Sequence, residues 1–169
     1  MTTEQKLTIR KLINQTIGGQ STLLKFYEDV LEEDPEDIRF IELTYFAMSV
    51  TTIFYLQFGN HTNKDQLLRE VQTTVISNSI VAADESISLS EATEQFKQRL
   101  SEYSSLIADL LRDQTDGTPI IDLFSRFYEH VTSKDADSRV FGTSKVGKVV
   151  SRYIIDNINY IKEEIRIIQ

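Results

Sequence analysis

The chain has two histidines, His61 and His130, and no cysteine. Thiol nucleophiles, thiolate metal sites, Fe–S clusters and disulfides are therefore excluded together. Neither histidine has a glutamate three residues before it, since Phe58 and Phe127 stand there, and no His-Glu-x-x-His or Gly-x-Ser-x-Gly occurs. The helical metal-ligand pairs and the serine elbow that would carry hydrolytic chemistry are thus missing. His61 falls in a predicted loop. His130 follows Glu129 near a predicted helix end, where an imidazolium suits the local field. Both are expected to be surface or capping residues.

The run Gly142-Thr-Ser-Lys-Val-Gly147-Lys148-Val149 is one residue short of a phosphate-binding P-loop. Val149 stands where Ser or Thr must hold Mg²⁺, and Ser138–Phe141 is too short and polar for the buried strand that should precede the loop. What survives is four cations without an acid near a helix start: Arg139, Lys145, Lys148 and Arg152. They are weak candidates for an anion or an acidic partner segment.

Glu33-x-x-Glu36 and Glu91-x-x-Glu94 invite comparison with helical nucleotide pyrophosphatases, which hold Mg²⁺ between Glu-x-x-Glu and a later Glu-x-x-Asp. The comparison fails, because Asp34-Pro35 divides the first pair and no Glu-x-x-Asp follows. Glu91 and Glu94 are better read as first-turn acids of a helix opened by the capping box Ser88-Leu-Ser-Glu91. No cofactor, metal or catalytic residue is expected, and the chain reads as a non-enzyme.

The stronger signal is charge. Seven acids occupy the ten residues from Glu28 to Asp37, with no base among them. Asp34, Glu36 and Asp37 are explained as acids opening a helix. Glu28, Asp29, Glu32 and Glu33 are expected at the C-terminal end of the preceding helix, where the dipole disfavours negative charge. They serve either as a solvated face or as a docking surface for a basic protein. The candidate partner-binding set is Glu28, Asp29, Glu32, Glu33, Glu36 and Asp37.

These residues must be positioned by helices. With 169 residues, 40% of them hydrophobic, one domain can bury a sizeable core. Apolar spacing predicts helices over Thr3–Ile17, ended by Gly18-Gly19, and over Ser21–Glu33, cut by Asp34-Pro35. A third runs from the Asp34 cap to about Phe58, and a fourth carries Leu67 to Ala83. A fifth follows Ser88, a sixth opens at Thr118-Pro119, and a last spans about Lys145 to Ile168. The fold class is all-α, a single-domain bundle of about six to seven helices with a buried central third helix.

That third helix is dense in aromatics. Tyr45, Met48, Thr52 and Tyr55 are its pocket candidates for an apolar or aromatic ligand, against the plainer reading of core packing. The longest uncharged stretch, Leu43 to Asn63, has a mainly apolar part that ends near Phe58, short of the roughly 20 residues a membrane span requires. Met1 to Val30 shows no apolar secretory core, so a cytoplasmic location is the default. A net charge of −8 argues against nucleic acid or an anionic membrane as partner. The isoleucine seam of the last helix either docks on the bundle or pairs with a second copy. The expected function is stoichiometric protein binding of the immunity, inhibitor or adaptor type, with small-molecule binding beside the third helix as the alternative.

Overall fold

The computed structural model describes residues 1–59, 61–112, 118–136 and 144–165. Six α-helices and no strand occur among them: α1 (Thr3–Asp29), α2 (Phe40–Phe58), α3 (Lys64–Val75), α4 (Leu89–Arg112), α5 (Thr118–Thr132) and α6 (Ser144–Glu164). The all-α bundle read from the periodicity is therefore the fold. Among the described residues no helix is long and apolar enough to cross a membrane.

The expected third helix, now α2, is the central one. It packs against every other helix, and thirteen of its residues from Glu42 to Tyr55 are buried. Its all-round apolarity has that cause: a helix surrounded by neighbours has no face to give to water. Phe46 sits at the meeting point. Its ring stacks on Phe127 of α5 with centroids 3.9 Å apart, meets Tyr103 of α4 edge-on at 5.0 Å and lies 6.2 Å from Tyr153 of α6. Truncating such a ring to Ala costs about 3–5 kcal/mol.

Three predicted boundaries are corrected. Gly18-Gly19 does not end a helix, because α1 runs unbroken from Thr3 to Asp29. The reason is tertiary. A Cβ on Gly19 would lie 2.4 Å from the Tyr153 hydroxyl, so the missing side chain lets α6 cross α1 closely, and that packing outweighs the glycine's poor helix propensity. Asp34 does cap, accepting from the Glu36 amide at 3.1 Å, but only a three-residue 3₁₀ turn, Pro35–Asp37. Ile38 and Arg39 are extended, and α2 begins at Phe40. The fourth helix changes winding after Val75, where residues Ile76–Val81 form a π-helical segment closed by the Ala82 amide donating to Ser77 O at 3.1 Å.

The capping box at Ser88 forms as read, with the Glu91 amide donating to Ser88 Oγ at 3.2 Å and the Ser88 amide to the Glu91 carboxylate at 2.9 Å. The hydrogen bonds from Ser88 hold the Glu91 carboxyl below its ordinary value. The isoleucine seam of α6 turns inward in its described part, where Ile154, Ile161 and Ile165 are buried. It docks on the bundle, which leaves the more exposed Ile155 for any second copy.

Candidate functional site

The acidic segment is the turn that leaves α1. Glu28 and Asp29 close the helix, Val30 is its C-cap, and the Glu33 amide donates to Tyr27 O at 3.1 Å. This bond reaches six residues back, one further than the closing bond of a helix end finished by a left-handed residue, and it closes a wider turn that also contains a left-handed residue. Here that residue is Glu32, with φ 54°. Glycine ordinarily fills such a position because a Cβ crowds the following carbonyl there.

The C-terminal end of α5 meets this turn. Ser133 is also left-handed, at φ 56°, and directs the chain so that Lys134 Nζ lies 2.7 Å from Glu33 Oε2 and 2.8 Å from Asp37 Oδ2. The Tyr128 hydroxyl donates to the other Glu33 oxygen, and the Arg39 amide donates to Val131 O at 2.8 Å. Hydrogen bonds to Asp37 and Glu33 raise the Lys134 pKa well above its ordinary value. Burial, followed by the Glu33 hydrogen bond, raises that of Tyr128.

The six candidate acids therefore divide. Glu33 and Asp37 are committed to Lys134 and hold the corner together. Glu28, Asp29, Glu32 and Glu36 are exposed, with no ion-pair partner among the described residues. Lys134 carried no signal in the sequence, because its partners lie about a hundred residues away.

The aromatic pocket candidates are closed into the core. Tyr45, Met48 and Tyr55 have no exposed surface and Thr52 2%. The Tyr45 hydroxyl donates to Ala92 O at 3.0 Å, and Thr52 Oγ1 accepts from Gln72 Nε2 at 3.3 Å. Core packing accounts for all four. Of the four cations, Arg139 lies outside the described residues, as do the side chains of Lys145 and Lys148 near the start of α6. Arg152 is exposed and lies 3.6 Å from Asp156.

Of the two histidines expected at the surface or as caps, His130 does lie in the last turn of α5, whereas His61 departs from its expected place. His61 is buried in its loop, with Nδ1 2.8 Å from the Tyr55 hydroxyl and Nε2 3.4 Å from Thr8 Oγ1, so it ties α1 to α2. His130 is mostly covered and places Nε2 2.8 Å from Glu102 Oε2, while Arg126 binds the other Glu102 oxygen. Burial raises the Glu102 pKa, but the hydrogen bonds and charges of Arg126 and His130 outweigh it and leave the carboxyl below its ordinary value. Both oxygens of this carboxylate are engaged. Nearby, Arg99 holds the buried Glu42 through two parallel bonds of 2.8 and 2.9 Å. These pairs join α2, α4 and α5 as structural ties.

Glu102, Arg126 and Glu129 also line a shallow depression of about 400 Å³ between α4 and α5. No group of three potential metal ligands occurs among the described residues. No protein-family model, curated protein or solved structure matches the chain.

Proposed function

We propose that this protein is a non-enzymatic binding module, of the immunity, inhibitor or adaptor type, that associates stoichiometrically with a basic partner protein through the corner built by the ends of α1 and α5. One observation carries the reading: Glu32 is an exposed carboxylate in left-handed backbone just past a helix C-terminus, with no ion-pair partner among the described residues. Backbone strain and the helix dipole both oppose a glutamate there, and a glycine or a base would be more stable. A residue kept against two local costs supports a role outside folding. Glu28, Asp29 and Glu36 extend the same negative surface, while the Lys134 clamp fixes its shape.

The test is affinity capture from lysate of the native host, at low and then moderate salt, with wild type and a Glu28→Lys/Glu32→Lys variant. One basic protein should be retained stoichiometrically by wild type at low salt, released as salt rises, and missed by the variant. Equal capture by the variant would refute the assignment of this corner. The apolar-ligand alternative loses support from the closed packing around Tyr45, Met48, Thr52 and Tyr55.

A further inference from the structure

Two large apolar side chains left in water border the acidic turn. Val30, the α1 C-cap, is 39% exposed and follows Asp29 directly, and Phe40, the first residue of α2, is 44% exposed. Between them Leu31 and Ile38 are partly buried and pack against the core. The pairing of the helices places Phe40. Gln20 Nε2 donates to Thr44 Oγ1 at 2.6 Å, and toward the other end of the same two helices Thr8 and Tyr55 both contact His61, so α1 and α2 run antiparallel. Phe40 lies one turn before Thr44 on that face of α2, while Leu24 and Glu28 lie one and two turns after Gln20 on α1. The ring is therefore level with Leu24 and Glu28, and as a helical side chain it leans toward its own N-terminus, which is toward the corner. Arg39 is already placed between Glu42 and the His130 carbonyl, and Lys25, one turn before Glu28 and Asp29, bounds this surface on α1.

We infer that the segment docking on this corner is basic and amphipathic, with apolar side chains that cover Phe40 and Val30 set between lysines or arginines that meet Glu28, Asp29, Glu32 and Glu36. The inference rests on the reading of the corner as a site for a basic protein, and names the kind of segment that fills it. Scattered singly, exposed apolar residues are ordinary, but these two flank four exposed carboxylates without ion-pair partners among the described residues. Charge and apolarity then select together. A wholly hydrophilic polycation would leave both apolar groups in water, and an apolar surface without cations would desolvate carboxylates it could not pair. A second copy seated two-fold on the same surface would set acid against acid, and an anionic membrane would be repelled likewise. In such interfaces a desolvated aromatic supplies most of the affinity, and the charges around it set the rate of encounter. Phe40 is that anchor.

The experiment titrates the full chain at low salt with two synthetic peptides of equal length and charge, one of repeating Leu-Lys-Lys-Leu units and one with every Leu replaced by Gln. Calorimetry and two-dimensional NMR read the binding. The Leu/Lys peptide should bind saturably at one site, with Kd at or below about 100 μM, and shift the amide signals of Val30 and Phe40. The Gln/Lys peptide should bind about tenfold more weakly. Phe40→Gln, and separately Val30→Gln, should weaken the Leu/Lys peptide and leave the Gln/Lys peptide unchanged, in proteins that still unfold cooperatively. Glu28→Lys/Glu32→Lys should weaken both peptides. Equal affinity of wild type for the two peptides would overturn the inference, as would Leu/Lys binding that both apolar variants leave intact, and either result would leave the corner as a site for charge alone. Absence of saturable Leu/Lys binding would overturn the inference too, with capture of a basic protein still deciding the broader reading. Peptide binding indifferent to Glu28→Lys/Glu32→Lys would refute the corner itself. Self-association in sedimentation that Phe40→Gln abolishes would assign the surface to a second copy and overturn the inference.

Discussion

Replacing Glu32 by Gly removes the strained residue and leaves the turn. An L-residue in left-handed backbone costs about 1–2 kcal/mol, and Glu32 at φ 54° carries that cost without a compensating contact among the described residues. Losing a carboxylate beside the α1 C-terminus recovers about 0.3–1 kcal/mol more at low salt. Glycine's greater freedom in the unfolded chain takes back about 0.5–1 kcal/mol. The balance is a gain of about 1 kcal/mol, or an unfolding midpoint roughly 2–4 °C higher for a chain of this size. Urea titrations of wild type, Glu32→Gly and Glu32→Gln measure it. Both variants should shift the midpoint upward at constant m, with Glu32→Gln showing only the charge part. If the corner binds the proposed basic partner, the same Glu32→Gly protein should hold it less well, so that stability rises as binding falls. A Glu32→Gly protein that is less stable than wild type would refute the reasoning, because the carboxylate would then be holding the turn itself.

The adjacent glycines of α1 should respond in opposite directions. Gly18→Ala, in the helix interior with open space around it, should add about 0.5–1 kcal/mol in thermal or urea unfolding, while Gly19→Ala should destabilise, because its Cβ meets the Tyr153 hydroxyl at 2.4 Å. Arg99→Met should destabilise by up to about 3–5 kcal/mol by leaving the buried Glu42 with only Arg39, 3.8 Å away, and adding Glu42→Gln should recover part of the loss in a double-mutant cycle. Glu102 has a folded pKa below its ordinary value, so its contribution is full above the unfolded carboxyl's pKa and is lost as pH falls through the folded one. Glu102→Gln should therefore flatten the acid limb of a stability-against-pH curve.

Periodicity located α4 and α5 well because each has one dry face, and it recognised α2 as central because that helix has almost no wet one. It failed at Gly18-Gly19, where the local signal for a helix end is real but is overridden by Tyr153, more than 130 residues further along the chain. The Asp34-Pro35 signal was correct about capping and silent about length, since nothing in those residues says whether three or twenty-four helical residues follow. The site divides in the same way. That Glu28, Asp29 and Glu32 lie at a helix end was legible from composition, whereas the pairing of Glu33 and Asp37 with Lys134 and the contact of His61 with Thr8 depend on distant parts of the chain. No spacing rule along one strip of sequence carries that information.

The ion pair between Glu33 and Lys134 spans 101 residues of chain. Closing so long a loop early in folding is entropically unfavourable, so the pair forms after the helices between have collapsed. The acidic corner is thus a late product of folding. A segment of isolated carboxylates on the emerging chain becomes a shaped surface only when the α5 end arrives to clamp it. A partner selecting that shape would ignore nascent or unfolded copies, and its grip on the corner would stabilise the folded chain as a whole rather than one helix end.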